Sequence, residues 1–187
     1  MISQKTIEIV GQLAKQQAKT TRTPSVFHVE YINGVAQRLA DELHAKKDII
    51  ALGTNLMDYM VGVALTQNRV KEHIQMGERE AQKILDTFSE ITEEEKDEVL
   101  WCVREHHGAE KFHSLESEIC CNADCYKFVS AKGFFGGLNA GGGRSYEEAL
   151  DVYTKKVEEK WNALSLPKYK KDLESQYKAI QQFLSHT

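Results

Sequence analysis

The sequence predicts an all-α protein, a compact multi-helix bundle, on three observations. Apolar residues recur three and four positions apart along most of the chain, the spacing of an amphipathic helix. No run alternates apolar and polar residues for long enough to support a strand. Proline, the residue most disruptive inside helices, occurs only twice in 187 residues. One domain over 1–187 is expected: that length buries a core unaided, and no Pro-rich linker divides it. With 24 basic and 28 acidic residues, a net charge of -4 and no long basic run, nucleic acid is not an expected partner. Four cysteines, three of them crowded as Cys120, Cys121 and Cys125, make no disulfide framework and point to a reducing cytoplasm.

The elements follow in order. The N-terminal stretch lacks the continuous apolar run of a signal peptide, and Ile2, Ile7, Val10, Leu13 and Ala14 instead predict an amphipathic helix over about 3–20. After a break at 21–25, a second helix runs from about Phe27 to His44. The third, over about 48–65, holds the most apolar segment. Its 17 residues from Ile49 to Leu65 reach only the short limit for a membrane span and carry Thr54, Asn55 and Asp58, so a buried core helix and no membrane are expected. A fourth helix covers about 69–87, with Val70, Ile74, Ala81, Ile84 and Leu85 on one side. Thr92 and Glu95 form a capping box that opens a fifth helix to about His107, and a sixth spans about Leu115 to Ala131. Gly133 to Gly143, with six glycines in 11 residues, is expected to end the helical run as a mobile connector or lid. It lacks the Gly-Lys-Ser/Thr ending of a phosphate-binding loop. Ser145 and Glu148 form a second capping box, opening a helix to about Leu164. Pro167, tolerated in a first turn, precedes a last helix to about Leu184.

Polar residues in apolar helices carry the functional signal. Asp58 lies midway in the most apolar segment, where an unpaired carboxylate would cost several kcal/mol or protonate. Asp124 repeats the pattern within EICCNADCYKFV. His28 opens the second helix, His73 lies one turn before Gly77, and His106-His107 ends the fifth helix. Acids and imidazoles on several helices converge only in a bundle that turns them inward, the arrangement by which such bundles hold divalent metals. Local satisfaction is the alternative: Asp58 bonded to Thr54, Asn55 or a distant lysine, and Asp124 paired with Lys127 at i,i+3. Cys102, Cys121 and Cys125 lack the spacing of a thiolate metal site and are expected in the core.

Taken in order, His28, Met57-Asp58, His73, His106 and Asp124 resemble the HD-domain superfamily of metal-dependent phosphohydrolases. The segments are FHVEYINGVAQRLADEL, IIALGTNLMDYMVG, KEHIQMGEREAQKIL, VLWCVREHHGAE and ICCNADCYKFVSAKG, spanning about 26–132; the helices at about 145–185 are less characteristic. This chain departs from the family at the doublet that names it, where Met57-Asp58 replaces His-Asp. The resemblance implies a divalent metal ion (Mn, Mg, Co, Ni, Fe or Zn) held by His28, Asp58 and Asp124, weakly because Met57 replaces a ligand histidine. It implies hydrolysis of a nucleotide or other small phosphorylated metabolite, with Asp58, His73 and His106 as catalytic residues. The metal would polarise a phosphoryl oxygen and acidify its bound water. Asp58 is placed beside that water, and His73 and His106 would bind phosphate, transfer protons or hold a second metal. His107 reads as a solvated helix-end residue first, with a supporting contact behind the ligands as the alternative. The loss of the doublet histidine also admits a degenerate member that binds a phosphorylated ligand or protein partner without turnover.

Overall fold

The computed structural model describes residues 1–141 and 143–186, and among them the fold is all-α. In chain order the helices are α1 (Gln4–Thr21), α2 (Val26–Leu43), α3 (Lys47–Leu56), α4 (Val61–Thr66), α5 (His73–Asp86), α6 (Glu93–Glu105), α7 (Leu115–Val129), α8 (Ala131–Ala140), α9 (Tyr146–Ala163) and α10 (Pro167–Leu184). A single 3₁₀ turn, Val70–Glu72, leads into α5. Helix α7 is the axis of the bundle: it packs against α2, α3, α6, α8, α9 and α10. That position explains why Asp124 and Lys127 are buried along with the cysteines of the same helix.

Both capping boxes form as the sequence predicts, Thr92 with Glu95 and Ser145 with Glu148. Each supplies a side-chain acceptor to an otherwise unpaired first-turn amide and fixes where its helix starts. Pro167 sits in the first turn of α10.

Two expectations are corrected. The helix expected over 48–65 breaks after Leu56, and α4 restarts only at Val61. Thr54 Oγ1 and Asn55 Nδ2 bond back to the Ile50 and Ala51 carbonyls one turn earlier, so both polar side chains are satisfied within α3 itself. The turn lets α4 seat Gly62 against the end of α1, where a Cβ would come within 2.4 Å of the Thr23 carbonyl oxygen. Asp58 therefore stands in a turn at the end of α3, not in mid-helix. The segment 47–66 is long and apolar enough to cross a membrane by composition, but 61% of its most apolar window is buried within the fold. A mostly buried helix of this kind is typical of a soluble protein's core.

The second correction concerns the glycine-rich stretch. Residues 131–140 are helix α8, capped by Ser130 and carrying the fully buried Phe134. Its glycines serve close packing: a Cβ on Gly133 would meet the Tyr126 carbonyl at 2.2 Å, and one on Gly136 the Phe27 ring at 2.2 Å. Of the expected connector Gly141 and Gly143 lie beyond the helix, and residue 142 is outside the described residues.

Candidate metal and ligand site

A cavity of about 250 Å³ opens beside α7, lined by Asp58, His73 and His107 and by Asp124, Lys127 and Lys160. Two clusters of groups share it.

The first comprises Asp58, His73, His106 and His107, each offering one ligand atom, all within 4.8 Å of one another. Their orientation is set by the helix ends. His73 opens α5, and its Nδ1 lies 2.6 Å from the Val70 carbonyl oxygen. His106 follows the end of α6, and its Nδ1 lies 2.7 Å from the Val103 carbonyl oxygen. A carbonyl only accepts, so both imidazoles carry a proton on Nδ1, and in the neutral form each keeps an Nε2 lone pair facing inward. Nδ1–H to a backbone carbonyl is the outer contact that fixes metal-binding histidines. His106 is fully buried and its Nε2 has no hydrogen-bond partner. That atom is 3.6 Å from Asp58 Oδ1. His107 Nε2 lies 3.3 Å from His73 Nε2, and its Nδ1 lies 3.6 Å from Glu159 Oε1. Donation from His107 to His73 satisfies this contact without a metal; with the proton on Nδ1, facing the Glu159 carboxylate, a third Nε2 lone pair is freed. Burial, then the neighbouring His106 and Lys160, pushes the His107 pKa down to about 2. Burial likewise lowers His73. Neutral imidazoles are the form that binds metals. This donor set fits a divalent ion, and the buried, unpartnered His106 Nε2 is the clearest sign of it.

The second cluster is a chain of buried charges. Lys127 Nζ lies 3.0 Å from Asp58 Oδ2 and 2.8 Å from Asp124 Oδ1, and Lys160 Nζ lies 2.6 Å from Asp124 Oδ2. The contacts at Asp124 are close ion pairs whose angles fall short of aligned hydrogen bonds. Burial opposes ionisation of both aspartates, but Lys127 outweighs it, joined by Lys160 at Asp124, so both carboxyls stay below the usual range. Burial opposes the charge on each lysine too, yet Asp124 raises both, joined by Asp58 at Lys127.

Of the trio His28, Asp58 and Asp124, expected as metal ligands, the two aspartates are brought to one point, but an ammonium occupies it. His28 is turned elsewhere: its Nε2 accepts from the Tyr153 hydroxyl at 2.7 Å, with Ser25 Oγ 3.3 Å from Nδ1. Burial, then Lys127, lowers its pKa to about 3. The trio therefore does not fit a metal, whereas Asp58, His73 and His106 come together with His107. Met57 lies in the apolar core and lines a separate small cavity with Ala14, Ala18 and Val29. Asp58 borders that small cavity as well. Asp124 pairs with Lys127 at i,i+3, the local alternative legible in the sequence, and Asp58 takes the same distant lysine. Lys160 and His107 were missed. Nothing in their spacing relates Lys160 to Asp124 on another helix, and only the turn after α6 decides which way His107 faces.

No family model and no curated protein matches this chain. The crystal structure of a Lactobacillus plantarum protein, a structural genomics target, superposes with a TM-score of 0.70, covering 100% of this chain and 96% of that one at 15% identity. The fold is shared. At that identity the likeness speaks for the architecture alone.

Proposed function

We propose that the protein is a metal-dependent phosphohydrolase of the HD-domain type, acting on a nucleotide or other small phosphorylated metabolite in the cytoplasm. The observation that carries it is the convergence of Asp58, His73, His106 and His107, three of which line a cavity that Lys127, Lys160, Arg22 and Arg144 also line. Three imidazoles favour Zn, Co, Ni, Fe or Mn over Mg, which prefers oxygen ligands. The bound ion would supply Lewis acidity toward a phosphoryl oxygen and an acidified water.

The chain's own residues account for the rest. Asp58, Asp124, Lys127 and Lys160 sum to no net charge, so a divalent ion leaves the site positive and suited to an anion. Arg22, Arg144 and Lys156 extend positive charge along the cavity lining. Val61, Leu65, Phe128 and Val152 line the remainder, giving the organic part of a phosphate ester an apolar bed and excluding water from it. Asp58 accepts from Lys127 on one oxygen, leaving Oδ1 beside His106 to hold a water or the ion.

The neutralised Asp124 favours a second reading, a pocket that binds a phosphorylated ligand without turnover. Phosphate release from a nucleotide and sugar-phosphate panel, with Mn²⁺, Co²⁺ or Ni²⁺ added, separates the two. Turnover falling at least a hundredfold in a folded His106→Ala supports the hydrolase; ligand-dependent stabilisation without turnover supports the binder. Neither turnover nor binding would reject both.

A further inference from the structure

We propose that the Lys127 ammonium is a tethered cation standing at a divalent-ion position between Asp58 and Asp124, so that the pocket works with one metal ion and one lysine. The pairing with a metal ion rests on the reading above, whereas the lysine's place between two carboxylates stands on its own geometry. Its Nζ is 3.0 Å from one carboxylate and 2.8 Å from the other, both on buried residues that come from different helical segments, the end of α3 and α7. Divalent ions bind carboxylate oxygens at about 2.0–2.6 Å, so an ion at that point needs these oxygens to move by less than about one ångström each. The position also borders the cavity, from which water would complete a coordination shell.

A lysine there does what a bare ion would do structurally, since it keeps two buried acids ionised and close together. It does so without exchange, chelation or dependence on supply. Its Nζ donates to Asp58 and pairs with Asp124, and Lys127 lines the cavity, where a further N–H can donate to a phosphoryl oxygen of the ligand. Lys160, behind Asp124, holds that carboxylate in place from the other side.

Mn²⁺ titration followed by electron paramagnetic resonance, on the full chain and its Lys127→Ala variant, counts the positions. Lys127→Ala is expected to bind one Mn²⁺ per chain more than the wild type, and to gain at least 5 °C more in unfolding temperature from millimolar Mn²⁺. The double variant Lys127→Ala/Asp124→Asn is expected to lose the extra ion. If the wild type binds none and Lys127→Ala binds one, the tethered cation stands and the imidazole cluster falls. Equal counts in both would overturn the tethered cation and leave the cluster untouched. A Lys127→Ala chain that stays unfolded even in millimolar Mn²⁺ would overturn it too, because a freed divalent position should accept the ion and restore the fold.

Discussion

His28 and His107 show how one residue type takes opposite duties within a few ångströms of the same cavity. His28 spends Nε2 on Tyr153, while His107 points Nε2 at His73. Both are held neutral, with pKa values near 3 and near 2 against an ordinary 6.5. An unfolded chain takes up protons on these imidazoles as pH falls through about 6.5, and the folded chain resists to near its own lower values. Their contribution to stability is therefore complete above 6.5 and lost on acidification. Asp58 and Asp124 add to the loss below about 3.8, where the unfolded acids protonate first. Lys127 and Lys160, raised above 10.5, contribute below that pH and cease to above it. Thermal unfolding of the metal-free protein should show a plateau between about 6.5 and 9, where the unfolded chain begins to ionise the buried thiols of Cys102 and Cys125, and a steady decline from 6.5 toward 4. In His28→Gln the acid slope should shrink by about one proton. A midpoint unchanged between pH 7 and 4.5 would contradict these protonation states.

Helix α8 was hidden because glycine reads as a helix breaker, and local propensity was overruled by packing. At Gly137 an added Cβ would fall 1.7 Å from the Tyr153 hydroxyl oxygen and 2.3 Å from His28 Nε2, so the helix approaches the Tyr153–His28 pair only without a side chain. Gly34, on the exposed face of α2, has nothing within 4 Å of a Cβ. The same substitution should therefore have opposite signs in denaturant unfolding. Gly137→Ala is expected to cost about 1–3 kcal/mol by overpacking. Gly34→Ala is expected to stabilise by about 0.5–1 kcal/mol through helix propensity. Equal effects would mean that α8 does not pack as described. The capping boxes at Thr92 and Ser145 were legible because their chemistry is local, four residues long and self-contained. The break after Leu56 was not, because Thr54 and Asn55 are compatible with either a continuing or an ending helix. What decides is the seating of Gly62 on a segment some forty residues away in sequence.

At the scale of the whole molecule, the bundle turns inward the acids and imidazoles that composition counts as ordinary. Asp58 and Asp124 were legible as expensive, and their convergence is real, but the cation between them comes from Lys127. The imidazole set that faces Asp58 is assembled by the ends of α3, α5 and α6, and it includes a histidine that its sequence context assigns to solvent. Under the proposed function, Asp58, His73, His106 and His107, not His28, Asp58 and Asp124, hold one divalent ion. X-ray absorption on protein loaded with one equivalent of Zn²⁺ or Co²⁺ distinguishes the two sets directly, because imidazole rings give a characteristic multiple-scattering signature. Three imidazoles and one carboxylate around a single retained ion is the expected result. An ion with at most one imidazole in its shell, or no ion retained at all, would contradict it.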